Sequence, residues 1–259
     1  MLLAIDAGNS NIVLGCIREG KILLVARMAT EIIKTDDQYA VQIDGILKMH
    51  GIDADKLDNC IISSVVPPLI DTLKRAVEHL TGKVPLVVGP GIKTGLNIKI
   101  DNPAQLGSDL VVDAVAAINQ YPAPIVVIDM GTATTFSVIG EDLSYLGGMI
   151  MPGVRLSLQA LSGGTSQLPG ISIEPPPRLI GKNTIDCMKS GIVNGNAAMI
   201  DGILSRIEEE LGKKPTVIAT GGLSSVIIPH CKNKIVYDET LLLKGLALIY
   251  DKNSKNSAL

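Results

Sequence analysis

The chain has no tryptophan and a single phenylalanine, Phe136, and aromatic residues make up only 2% of its 259 positions. So few rings exclude a surface that holds single-stranded nucleic acid by stacking bases. Lys and Arg form no long run and the formal net charge is −3, which argues against any nucleic-acid partner held through its phosphates. The four cysteines, Cys16, Cys60, Cys187 and Cys231, stand far apart with no Cys-x-x-Cys pair, so neither a zinc site nor a redox motif is indicated. Four cysteines allow two disulfides, but a chain of this size folds without staples, and a reduced, cytoplasmic compartment is expected. No stretch reaches the roughly 18 apolar residues that span a bilayer. Asp6 interrupts the apolar start with no basic region before it, so a signal peptide is not expected.

Hydrophobic residues make up 46% and charged residues 19%, a globular balance. With so few rings, the core must come from Val, Ile, Leu, Ala and Met. A short acidic, glycine-centred hairpin is written twice: Ile5-Asp6-Ala7-Gly8-Asn9-Ser10-Asn11-Ile12-Val13 and Ile128-Asp129-Met130-Gly131-Thr132-Ala133-Thr134-Thr135. Each runs from an apolar strand through Asp-x-Gly and small polar residues into a second β-rich run. Glycine lets the backbone turn tightly and approach a ligand, while hydroxyls and peptide N–H groups bind phosphate oxygens. A neighbouring aspartate can hold a cation that neutralises phosphate charge. Two such turns read as two half-sites for one nucleotide.

Around the first hairpin the pattern is strand, strand, strand (to Met28), a helix capped by Asp36 or Asp37 and ending near Gly51, a strand at 60–66, a helix opened by Pro67-Pro68, and a strand at 84–88. A helix over 111–119 follows, and Tyr121-Pro122-Ala123-Pro124 breaks it. The second half repeats the order, with strands at 125–129, 134–139, 145–150 and 216–220, a long helix at 183–211 and a last helix at 241–250. The fold class is α/β: two domains, 1–120 and 121–259, each a mixed sheet flanked by helices, with an inter-domain cleft. Gly191, Gly195 and Gly202 interrupt the apolar stripe of the long helix, at about 1 kcal/mol each relative to Ala. Close approach of another helix, at a dimer interface for instance, offsets such a cost.

Taken in order, the motifs resemble the type III pantothenate kinases of the actin-like, ribonuclease-H-like and sugar-kinase superfamily. They are Asp6-Ala7-Gly8-Asn9-Ser10, Ser63-Ser64-Val65-Val66-Pro67, Asp101-Asn102-Pro103 with Gly107-Ser108-Asp109, Asp129-Met130-Gly131-Thr132-Ala133-Thr134-Thr135, Gly147-Gly148 to Pro152-Gly153, Gly181-Lys182-Asn183-Thr184, and Thr220-Gly221-Gly222. The resemblance implies ATP-dependent phosphorylation of pantothenate, the first step toward coenzyme A, with Mg²⁺ and a monovalent cation, potassium or ammonium, in a cytoplasmic homodimer. It assigns Asp6, Ala7, Gly8, Asn9, Ser10, Asn11, Ile12, Val13, Thr132, Gly221 and Gly222 to ATP. Asp6 would act through Mg²⁺, Asp129 would hold the monovalent cation, and Asp109 would be the general base. Ile100, Gly107, Ser108, Asp109, Leu110 and Thr184 fall on the substrate positions, Thr184 reaching in from a second subunit.

Two of those positions depart from the family pattern: Leu110 stands where arginine is usual, and Ile100 where tyrosine is usual. Leucine cannot replace a planar, multi-donor guanidinium. A kinase with another small hydroxyl acceptor and a nucleotide-binding regulatory protein are the alternatives that follow. On residues alone, Asp109 also reads as a helix N-cap, and so does Thr184. Gly89-Pro90-Gly91-Ile92-Lys93-Thr94 lacks the spacing and ending of a Walker loop and reads as a surface turn.

Overall fold

The computed structural model describes residues 1–254. Three strands open the chain, β1 (Leu2–Ala7), β2 (Asn11–Arg18) and β3 (Lys21–Ala29), followed by α1 (Asp36–Met49), β4 (Asn59–Ser64), α2 (Pro67–Thr81) and β5 (Leu86–Val87). Next come β6 (Asn97–Ile98), α3 (Ser108–Gln120), β7 (Ile125–Met130), β8 (Ala133–Ile139), β9 (Ser144–Pro152) and α4 (Val154–Gly163). The chain ends with α5 (Thr184–Leu211), β10 (Thr216–Thr220), α6 (Ser224–Ile227), β11 (Val236–Tyr237) and α7 (Leu241–Ser254).

These elements form two compact units. The first comprises Met1–Leu96, Asn102–Ala116 and the chain from Thr240; the second comprises Asn97–Asp101 and Ala117–Glu239. The expected division into 1–120 and 121–259 would put α7 in the second unit, whereas it packs on β1 and β4 in the first. Residues 255–259 of that expected domain lie outside the described residues.

The sheets repeat one plan. In the first, the order is β3-β2-β1-β4-β5, with β1 antiparallel to β2 and parallel to β4. The second runs β11-β10-β7-β8-β9-β6, with β7 antiparallel to β8 and parallel to β10. Read in matching directions, β7 takes the place of β1, β8 of β2, β9 of β3 and β10 of β4. The two-residue strands β6 and β11 have no counterpart in the expected elements, because runs that short are defined by pairing rather than by an apolar pattern.

Alternation decides what each central strand buries. Leu3, Ile5 and Ala7 join Tyr39, Ile43, Leu47, Leu69, Leu73 and Val77 in one core beneath α1 and α2. That sends Ala4 and Asp6 to the opposite face. Val126, Ile128 and Met130 likewise pack with Met188, Ile192, Ile200 and Leu204 of α5, leaving Asp129 on the other face of its sheet.

Several local expectations are corrected. The N-cap of α1 is Thr35, in a capping box: its side chain accepts from the Gln38 N–H, and its own N–H donates to Gln38 Oε1 at 2.9 Å. Asp36 and Asp37 occupy the first turn instead, where they favour the helix dipole. Helix α3 opens three residues earlier than expected, at Ser108, so Asp109 lies inside the helix rather than capping it. Asn183 caps α5, accepting from the Asp186 N–H at 2.9 Å, and Thr184 is its first helical residue. All four cysteines are free thiols. Burial pushes the thiols of Cys16 up to about 11 and of Cys231 up to about 12. Among the described residues no helix is long and apolar enough to cross a membrane.

One helix contact tolerates no side chain. A Cβ at Gly245 on α7 would stand 2.1 Å from the Val112 carbonyl oxygen and 2.7 Å from Val112 Cγ1. Gly45 on α1, by contrast, has nothing within 4 Å of that position. We expect Gly245→Ala to lose about 1 to 3 kcal/mol of stability through overpacking, and Gly45→Ala to gain about 0.4 to 1 kcal/mol by restricting the unfolded chain. Urea unfolding of the two variants checks this, and equal midpoints would contradict it.

Candidate active site

In the first unit, Asp6 lies near the carboxyl end of the central strand and is only 8% exposed. Its register partners are Val13 on β2 and Ser63 on β4. Ser63 donates its hydroxyl to Ser108 Oγ at 3.1 Å, and Ser108 Oγ donates to the Ser64 carbonyl at 3.1 Å. The first residue of α3 is thereby tied to the end of β4. The Val65 N–H donates to the Ala7 carbonyl at 3.1 Å, so the segments leaving β1 and β4 run side by side.

Asp109 follows Ser108 directly. Its Oδ1 accepts from the Leu110 N–H at 2.8 Å, and a Cβ on Gly107 would come within 2.5 Å of that oxygen. Glycine at 107 thus makes room for the carboxylate. Burial raises the Asp109 carboxyl above its ordinary value, and the backbone N–H bonds from Leu110 and Asp109 itself oppose only part of that shift. Desolvation penalises the charged form of a carboxylate, which is the condition of a group able to take up a proton. Asp6, Gly107, Ser108, Asp109 and half-buried Leu110 are therefore collected at the carboxyl ends of β1 and β4, where open α/β sheets bind ligands. Asn9, Ser10 and Asn11 of the turn are exposed.

The second unit builds a matching end. Asp129 pairs in register with Thr135 on β8 and Thr220 on β10. Gly221 follows at φ +90°, and a Cβ there would lie 2.6 Å from Asp129 Oδ1 and 2.7 Å from the Met130 nitrogen. Only glycine satisfies both conditions. The Ser224 N–H closes the turn onto the Gly221 carbonyl at 3.2 Å, and the Ser224 hydroxyl donates to the Thr220 carbonyl. Thr132 and Gly222 are exposed on the adjoining turns. Gly153, just past β9, donates its N–H to the Thr132 carbonyl at 3.1 Å.

Not every expected residue joins these groups. Half-buried Ile100 follows β6, which is three strands from β7 at the edge of its sheet. Thr184 is exposed at the start of α5. Two residues went unread in the sequence. Asp113, 1% exposed and one turn beyond Asp109, is signalled by the four-residue spacing of acids on an otherwise apolar helix. Thr30 donates its hydroxyl to the Gly8 carbonyl at 2.7 Å, and nothing local to its sequence announces it. Among the described residues no group of three or more His, Cys, Asp or Glu gathers to hold a metal.

Solved structures share this architecture at low identity, and they speak for the fold alone. A conserved Baf family protein of Campylobacter jejuni superposes with a TM-score of 0.61 at 20% identity, covering 98% of this chain and 99% of that one. The activator of 2-hydroxyisocaproyl-CoA dehydratase from Clostridium difficile, solved with bound ADPNP, gives 0.58 at 10% identity over 100% and 97%. The fold is that of actin-like ATPases and sugar kinases. A relative from Bacillus cytotoxicus named type III pantothenate kinase is 43% identical over 254 residues, 98% of this chain and 97% of its own length. The sequence model of that same family, type III pantothenate kinase, matches residues 2–206, which include both Asp-x-Gly turns and Asp109. By sequence over nearly its whole length and by fold, the chain belongs to the type III pantothenate kinase family.

Proposed function

We propose that this protein transfers the terminal phosphoryl group of ATP to the primary hydroxyl of pantothenate, the step that opens coenzyme A synthesis. The observation that carries the reading is the continuous link from Asp6 through Ser63 and Ser108 to Asp109, which holds a phosphate-type turn and a proton-accepting carboxylate at one sheet end. Phosphoryl transfer asks little covalent chemistry of a protein; positioning and charge neutralisation dominate. Residues Asp6 to Val13 would take the phosphates in the first unit, and the resemblance assigns Thr132, Gly221 and Gly222 of the second unit to the nucleotide. Asp109 accepts the hydroxyl proton as the acceptor oxygen attacks.

Asp6, a buried carboxylate near the carboxyl end of β1, would hold Mg²⁺, which is commonly bound by one or two carboxylates plus substrate phosphates. When bound, it neutralises charge that develops on the phosphoryl oxygens. Asp129, pressed against the Gly221 backbone, suits a monovalent cation, potassium or ammonium. On the acceptor side, Gly107 and Ser108 shape the wall beside Asp109, and half-buried Leu110 stands there where the family pattern has Arg.

A homodimer fits the long helix. Nothing lies within 4 Å of a Cβ built on Gly191 or Gly195. These glycines border a shallow groove of about 460 Å³ lined by Leu179, Ile180, Cys187 and Asn194, and Leu179 and Ile180 are exposed. A second copy of this chain is the occupant proposed for that groove, and the family resemblance alone assigns Thr184 to the partner's substrate.

Purified protein should release ADP in proportion to phosphopantothenate formed; ATP turnover with another hydroxyl acceptor, or ATP binding with no transfer, would replace this reading. Asp109→Asn should lower kcat by about 10² to 10⁴, the usual share of a general base, while leaving ATP affinity unchanged. Undiminished turnover would move the base elsewhere.

The raised Asp109 carboxyl has two consequences of pH. The base works only when ionised, so kcat should fall with decreasing pH at a higher pH than an ordinary carboxylate would set. For stability the sign is opposite: a folded value above the unfolded one means that ionisation opposes folding as pH rises through it. Asp109→Asn should therefore be at least as stable as wild type at neutral pH. A pH–rate profile beside thermal melts tests both, and an acid limb at the ordinary carboxylate value would reject the assignment.

For the dimer, Gly195→Leu should shift sedimentation from a two-chain to a one-chain species. If the chain stays dimeric, the interface lies on another face.

A further inference from the structure

The first phosphate turn is braced from outside its own hairpin. The β2–β3 ladder ends at the pair Asn11 and Ala29. Thr30 carries it one step further, donating its backbone N–H to the Ser10 carbonyl at 3.1 Å and its hydroxyl to the Gly8 carbonyl at 2.7 Å. Within the turn, the Gly8 N–H closes onto the Asn11 carbonyl at 3.0 Å. Thr30 is anchored in turn by its neighbour. Glu31 exchanges two hydrogen bonds with the Tyr39 phenol, its N–H donating to the oxygen and its carbonyl accepting from the hydroxyl, each at 3.0 Å. Tyr39 is fully buried in the core under α1.

The second unit repeats the backbone half of this device and omits the side-chain half. Gly153, immediately past β9 as Thr30 is past β3, donates its N–H to the Thr132 carbonyl at 3.1 Å. A Cβ at Gly153 would sit 2.3 Å from the Thr132 carbonyl oxygen and 2.6 Å from that of Gly131. The second turn is thus pressed against bare backbone with no room for a side chain, whereas the first meets a hydroxyl as well as an N–H.

We propose that Thr30 is a positioning residue for ATP. This rests on the reading of Asp6 to Val13 as the phosphate turn. A carbonyl oxygen carries partial negative charge and repels a phosphate, so a turn that binds an anion must present N–H groups and keep its carbonyls aside. Thr30 engages two of the three carbonyls in Gly8-Asn9-Ser10 from the β3 side. Without its hydroxyl the Gly8 carbonyl loses a donor, and the glycine backbone has the freedom to swing that oxygen toward the phosphates.

The test compares Thr30→Val, which keeps shape and removes the donor, with Thr30→Ser, which keeps the donor. The measurements are the Kd of a non-hydrolysable ATP analogue with Mg²⁺ by calorimetry, KM for ATP and for pantothenate, and the thermal midpoint. Loss of one such hydrogen bond predicts a rise of about five- to tenfold in analogue Kd and in KM for ATP for the valine variant. KM for pantothenate should hold, and serine should restore ATP binding. Valine binding the analogue as wild type does, or raising both KM values together with a fall in the melt that serine does not repair, overturns the proposal while the phosphate-turn reading stands. Failure of the wild-type protein to bind the analogue overturns that reading and the proposal with it.

Discussion

The hydrogen bonds from Ser63 to Ser108 and from Ser108 to the Ser64 carbonyl hold the start of α3 against the end of β4, and the role proposed for Asp109 depends on them. A general base acts only within hydrogen-bond reach of the proton it takes. Asp109 sits on a helix, whereas Asp6 sits on a strand, and the two elements meet only because paired serines bridge them. Ser63 is register partner to Asp6, so the same residue fixes both carboxylates. Ser63 is completely buried and Ser108 half-buried, and small hydroxyls are the side chains that let backbone segments come this close.

Duplication supplies the frame, and divergence supplies the chemistry. Both units end their central strand in Asp-x-Gly, and both hold the following turn by an N–H from the residue just past the third strand. What crosses to meet each aspartate differs. The strand beside β1 ends in serines that bind a helix, whereas the strand beside β7 runs into Gly221, whose backbone fills the space against Asp129. The first arrangement sets a half-buried carboxylate, Asp109, at the start of a helix. In the second, the Gly221 backbone is driven close to the Asp129 carboxylate.

What could be read in advance follows from how local the cause is. The hairpins, the Pro67-Pro68 helix start and strand Thr216–Thr220 were legible because turn chemistry and alternation act over a few neighbouring residues. The cap of α1 was misread because acids in a first turn and acids at an N-cap leave the same sequence mark, and the Thr35 to Gln38 reciprocity decides between them only in three dimensions. Strands of two residues have no pattern to read. Thr30 contacts a carbonyl 22 residues earlier, and Gly245 meets Val112 across more than a hundred, so no window along the chain reveals either. Asp6, Asp109 and Asp129 stand out through the order of the motifs; their burial and partners do not show in the sequence.

The energetics of Asp109 connect these strands of argument. A carboxylate whose charge is opposed by burial and answered by little more than the Leu110 and Asp109 N–H groups is a local cost to the fold, and stability alone would favour asparagine. A base, however, works best when its proton affinity is lifted toward the operating pH. The fold sustains that cost through rigid surroundings: Gly107 leaves the oxygen its space, Ser108 is bound to β4, and α7 packs through Gly245 onto Val112, one turn along the same helix. Helix α7 arrives from the far end of the chain to press on the helix that carries Asp109, while it also packs on β1 and β4.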